Sequence, residues 1–147
     1  MQKIGTFTKL LTYAGLLLVW FPIFAPLLLT LMFFVEEQVF QLDYLMPAEL
    51  FLFALGGSLM LLWAAIRMRS RIKIIGWGLG VAVVMLVGGQ ALAVATGLAS
   101  GETAPDGWKW ALVMASLAIY TLAIIAIGVG GIQLLGDQIK REKISQP

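Results

Sequence analysis

The sequence predicts an all-α fold: an integral membrane four-helix up-down bundle, both termini cytoplasmic, with a first helix kinked by Pro22 and Pro26. Three observations lead there. Hydrophobic residues make up 61% of the 147 and charged residues 12%, with a mean hydropathy of +0.95, against about 45–50% and about 25% in soluble domains. The apolar residues gather into four stretches, each long enough for the roughly 20 helical residues that cross a hydrocarbon core of about 30 Å. The charges fall in the short connections and sort by sign.

The first stretch runs from about Leu10 to Val35. Lys3 and Lys9 precede it as in a signal peptide, but the run is about twice the length of a signal core and no small-x-small cleavage site follows. It reads as a retained helix. Within it, each of Pro22 and Pro26 lacks a donor and displaces a carbonyl one turn back, those of Leu18 and Pro22. At 1.5 Å per residue from Leu10 the two prolines lie roughly 18 and 24 Å in, from mid-membrane into the outer leaflet. The second helix is expected over about 48–66, opened by Pro47 and Glu49, ordinary helix-start residues. The third spans about 72–99. The fourth spans about 108–135 and follows Asp106. Apart from Glu49, Lys73 and Lys109 in opening turns, no Asp, Glu, Lys or Arg lies inside any stretch. The connections Glu36–Pro47, Arg67–Arg71 and Ser100–Gly107 leave no room for a soluble domain, so residues 1–147 form a single transmembrane domain with antiparallel sequence neighbours.

Orientation follows from the basic residues, which stay cytoplasmic when loops are short. Lys3, Lys9, Arg67, Arg69, Arg71, Lys73, Lys140, Arg141 and Lys143 fall on one predicted side, with Asp137 and Glu142. Nine minus two gives +7. Lys109 falls on the other side with Glu36, Glu37, Asp43, Glu49, Glu102 and Asp106; one minus six gives −5. Trp63 and Trp77 flank the basic turn, and Trp108 and Trp110 open the fourth helix opposite, matching interfacial belts. The compact form with short loops suits a bacterial inner membrane.

Small residues at fourfold spacing let helix backbones approach in lipid. The third stretch carries Gly76 and Gly80, then Gly89, Ala93 and Gly97, and is expected to be the central helix. Ala54 and Ser58, Ala111 and Ala115, and Ala126 and Gly130 repeat the spacing elsewhere. These faces suit a homo-oligomer or a membrane protein partner, besides the lipid bilayer itself.

Chemistry is sparse. Cysteine and histidine are absent, which removes thiol redox chemistry and thiolate or imidazole metal sites. No catalytic constellation, metal site, cofactor motif or nucleic-acid motif is present. Gly76-Trp77-Gly78-Leu79-Gly80 lies in an apolar helix and lacks the strand and further glycine of a dinucleotide loop. The apolar spans hold no ionisable residue of the kind that marks proton relays and ion-coupling sites. Gln90 is the one amide well inside a span, and Ser58, Ser116 and Tyr120 lie at comparable depth on other helices. With Pro22 and Pro26 they form a candidate polar cluster, read first as internal hydrogen bonding and second as a pocket. Arg67, Arg69, Arg71 and Lys73 are candidate contacts for anionic lipid headgroups. The expectation is a non-enzymatic accessory or structural membrane component acting through helix–helix or lipid contacts. The alternative is a carrier or channel for a neutral or apolar solute, using the pocket at the kinked helix.

Overall fold

The computed structural model describes residues 5–37, 48–101 and 107–145, which leaves Asp43, Pro47, Glu102 and Asp106 outside the described residues. The regular structure among them is four helices: α1 (Thr6–Glu37), α2 (Ala48–Met68), α3 (Ile72–Ala95) and α4 (Gly107–Ser145). All four are long and apolar enough to cross a membrane, and a helix satisfies its backbone hydrogen bonds internally, as lipid demands. α1 continues as one helix through Pro22 and Pro26. α3 stops at Ala95, short of the expected Ala99, because Gly97 takes a left-handed φ of 73° and turns the chain. There Thr96 N–H donates to the Leu92 carbonyl, Gly97 N–H to Val94 and Ala99 N–H to Ala93. α4 runs on to Ser145, beyond the expected Leu135. Its 39 residues make about 58 Å at 1.5 Å each, so its charged last turns extend past any hydrocarbon core. Apolarity ends before the helix does.

The three pairs α1–α2, α3–α4 and α1–α4 are antiparallel, since contact positions rise along one helix as they fall along the other. On α1 and α2, Phe7 meets Arg67, Gly15 meets Gly57 and Phe21 meets Phe53. On α3 and α4, Ile75 meets Gly130, Gly78 meets Ile127 and Gly89 meets Ser116. α1 and α4 meet along Thr12–Gln138, Leu16–Gly131 and Trp20–Gly128. α2 also touches α3 and, across the bundle, α4, whereas α1 and α3 make no contact among the described residues. The start of α1 and the end of α4 lie at the same end of the bundle, where Lys9 pairs with Glu142.

The expectation that α3 is the central helix is wrong. Its buried positions are Ile75, Ala82 and Gly89, a narrow seam repeating every seven residues. Gly80, Ala91 and Ala95 point away from the bundle. The fourfold spacing is present in the sequence, but spacing does not say which face it serves.

The molecule is inside out by soluble standards. Thr8, Thr12, Ser58, Ser116 and Gln138 are buried, whereas Leu17, Leu52 and Val94 are each about 70% exposed. A buried seam of Val19, Ala54, Leu61, Ala65, Ile124, Ile127 and Leu134 runs between the helices. The closest approach of backbone to backbone at a glycine is α1 on α2. A methyl group placed on Gly57 would lie 2.8 Å from the Gly15 carbonyl oxygen, and one on Gly15 would lie 2.9 Å from the Gly57 carbonyl oxygen. The two backbones touch directly.

Gly57→Ala should therefore destabilise the fold by roughly 1–3 kcal/mol, the usual range for overpacking. Gly80→Ala meets nothing within 4 Å and should be neutral or stabilising by up to about 1 kcal/mol through helix propensity. Thermal melting of both variants in one mild detergent makes the comparison; equal melting temperatures would remove Gly57 from the interface.

Candidate functional site

The polar pocket expected from the sequence is not assembled. Ser58 is buried on α2, but its hydroxyl donates to the Ala54 carbonyl at 2.6 Å. Ser116 is buried against Gly89, and its hydroxyl donates to the Val113 carbonyl at 2.7 Å. Tyr120 is half-buried with its ring 6.4 Å from that of Phe51. Pro22 is half-buried, and the Pro26 side chain lies outside the described ones. Gln90 is exposed. It sits about 100° around the helix from Gly89, and Gly89 is the residue that faces α4. Because α1 and α3 do not touch, Gln90 is no donor for the Leu18 and Pro22 carbonyls. The two serine hydroxyls are occupied within their own helices, and the amide faces outward.

A different polar assembly ties the helices together at the end that holds both termini. Thr12 donates to the Thr8 carbonyl at 2.9 Å, which commits its one hydroxyl proton. Its oxygen then accepts from Gln138 Nε2 at 2.6 Å. That bond fixes the orientation of the amide, since a hydroxyl whose proton is used can only accept. Gln138 Oε1 is left buried without a partner among the described residues. Nearby, the Ser70 hydroxyl donates to Asp137 Oδ2 at 2.7 Å and Arg71 Nε donates to the same oxygen at 3.3 Å. Arg67 lies 5.7 Å from the centre of the Phe7 ring, within cation–π range. Lys9 pairs with Glu142. Together these contacts link α1 with α2, α1 with α4, and the α2–α3 turn with α4.

That turn is strained. Arg69 and Arg71 have φ of 51° and 59°, a left-handed region that costs a side-chain-bearing residue about 1–2 kcal/mol. Arg69 N–H to Ile66 O and Ser70 N–H to Ala65 O close α2, and Asp137 holds the turn from α4. Arg71 starts α3 without a side-chain cap.

The four expected headgroup cations divide accordingly. Arg67 and Arg71 are engaged within the protein. The Arg69 and Lys73 side chains are exposed and make no hydrogen bond or ion pair among the described residues. Below Lys73, α3 carries an open apolar groove of about 400 Å³ lined by Gly76, Trp77, Gly80, Val81, Val84 and Met85. Neither the groove nor the Thr12–Gln138 pair was anticipated. The latter had a signal, an amide beyond Leu135 and a threonine one turn inside Lys9, but it becomes legible only once α4 is known to continue. The chain matches no known protein family, no curated protein and no solved structure.

Thr12→Val removes the acceptor for Gln138 Nε2 and should cost about 1–3 kcal/mol, the penalty for an unsatisfied buried polar group. Adding Gln138→Leu removes that amide together with its orphaned oxygen, so the double variant should recover most of the loss. A double-mutant cycle read by thermal melting decides it: additive losses would show that the two side chains act independently.

Proposed function

We propose that this protein is a non-enzymatic accessory component of a bacterial inner membrane, and that it works by presenting the outer half of α3 to another membrane helix. The observation that carries this reading is Gln90, an amide well inside an apolar span and turned away from its own bundle. An amide facing hydrocarbon forgoes hydrogen bonds worth several kcal/mol, and a neighbouring helix with a polar group is the ordinary remedy. Its surroundings suit close approach. Gly88, Ala91 and Ala95 are exposed, alongside Val87 at 60% and Val94 at 69% exposure. The solute-carrier alternative depended on Gln90 facing a central pocket, and it loses that support.

In the same reading the end bearing Lys9, Arg67, Arg69, Arg71, Lys73, Lys140, Arg141 and Lys143 is cytoplasmic, so both termini are inside. Trp63 and Trp77 are exposed near that end and Trp108 and Trp110 near the other, as interfacial anchors require. The proline kink in α1 belongs here too: Pro22 and Pro26 bend the outer half of α1.

Two measurements test this. The chain has no cysteine, so Ser100→Cys should react with an impermeant maleimide in intact cells and Lys143→Cys only after permeabilisation; the opposite pattern would overturn the orientation. Native mass spectrometry of the gently extracted protein should show a second polypeptide in fixed ratio. Gln90→Leu and Ala91→Leu should each reduce that species at least fivefold with an unchanged melting temperature. A monomer or homo-oligomer that ignores both substitutions would sink the accessory reading.

A further inference from the structure

The inner half of α3 presents a second outward feature with different chemistry. Gly76 and Gly80 sit one turn apart in the floor of the groove, with Trp77, Val81, Val84 and Met85 as its remaining lining. Neither glycine makes a tight contact with the bundle: Gly80 is exposed, and Gly76 is half-buried at the edge of α2. A methyl at Gly80 would meet nothing within 4 Å, and one at Gly76 would meet only Leu62 Cδ1 at 3.8 Å. Glycine inside a helix costs about 1 kcal/mol relative to alanine, and at Gly15 and Gly57 the close backbone contact offsets that cost. At Gly76 and Gly80 nothing within the protein does. What these glycines create is an outward recess about 13 Å long from Gly76 to Met85 at 1.5 Å per residue, close to the ~15 Å depth of one leaflet.

The mouth of this recess is cationic. Lys73 lies three and four residues before Gly76 and Trp77, on the same helical face. It is exposed and unpaired among the described residues, as is Arg69 on the turn above. The nearest carboxylate, Asp137, is held by Ser70 and Arg71. α3 begins with no acidic residue in its first turn and no side-chain cap, so its positive dipole end adds to the same field. An apolar slot one leaflet deep under an uncompensated cation matches one molecule in shape and charge.

We propose that the inner half of α3 is a binding site for an anionic phospholipid, with its phosphate on Lys73 and Arg69 and one acyl chain along Gly76, Gly80 and Val84. The site rests on the membrane reading above and is independent of the partner proposed for Gln90. It differs from diffuse attraction to a basic surface, because the groove and the cation are both required.

The test is lipid titration of the detergent-solubilised protein followed by native mass spectrometry, comparing phosphatidylglycerol with phosphatidylcholine of identical chains. The protein should retain phosphatidylglycerol in preference by about fivefold or more, the effect of one surface cation on an anionic lipid. Lys73→Gln should lower that preference about fivefold and the double variant Arg69→Gln, Lys73→Gln should bring the two lipids within about twofold, while Gly80→Leu should lower retention of both by filling the recess. Equal retention of both lipids by the parent, an unchanged preference in Lys73→Gln, or undiminished retention in Gly80→Leu would each overturn the site. Failure of the membrane reading is separate: the protein would then be released from membranes by alkaline carbonate before any lipid is added.

Discussion

Where the surrounding solvent is hydrocarbon, apolar side chains gain nothing by leaving it for one another, and helix association depends on contact distance and polar pairing. The backbone contact of Gly15 with Gly57 is where this chain meets that constraint most closely. It brings α1 and α2 near enough for Val19, Ala54 and Leu61 to interlock, each with no exposed surface. α3 and α4 pair by a looser version of the same device, with glycine at 78, 89 and 130 alternately facing Ile127, Ser116 and the Ile74–Ile75 turn. The bundle is thus two tight antiparallel hairpins joined mainly by α4 lying on α1. Trp20 over Gly128 and Leu16 over Gly131 set that second distance.

Polar side chains then register the hairpins, and they do so at one end. The Thr12–Gln138 bond, the Lys9–Glu142 pair and the double donation to Asp137 all lie where the chain begins and ends. The exposed ion pairs contribute little, roughly 0–1 kcal/mol each. The buried amide matters more, because any slip of α4 along α1 separates Nε2 from the one oxygen placed to accept it. Specificity of register is a known use of a lone buried amide between helices. The unpartnered Oε1 sets a limit on how much stability that specificity brings.

What was legible in the sequence follows the physics. Four helices long and apolar enough to cross a membrane, with sequence neighbours antiparallel, are consequences of hydropathy and short connections, and they are present. The end of α4 did not read correctly, because residues 136–145 are helical without being apolar, and hydropathy marks the membrane rather than the helix. The interfaces misread for another reason. Gly76–Gly80 and Gly15–Gly57 are both candidates for close approach, and the sequence contains nothing that says the first faces outward and the second inward. The polar cluster failed likewise: depth along a helix is readable from position, but azimuth depends on which neighbour the helix chooses. Gly89 and Gln90 are adjacent, and that single residue step separates the face against α4 from the outer surface.

The azimuth of α3 is therefore the informative quantity. A helix held by one seam of Ile75, Ala82 and Gly89 leaves most of its circumference outside the bundle. If that surface met only lipid chains, leucine-rich composition would serve and would raise helix propensity. It carries instead an exposed Gly80 and a half-buried Gly76, with Lys73 above them unpaired among the described residues and, farther along, an amide among glycine and alanine. Each departs from the lipid-facing norm at some cost to the isolated protomer. The same helix that contributes least to the core thus holds the residues that the core does not explain, and that division of labour is the ground on which we propose its outward face as the surface for partner and lipid.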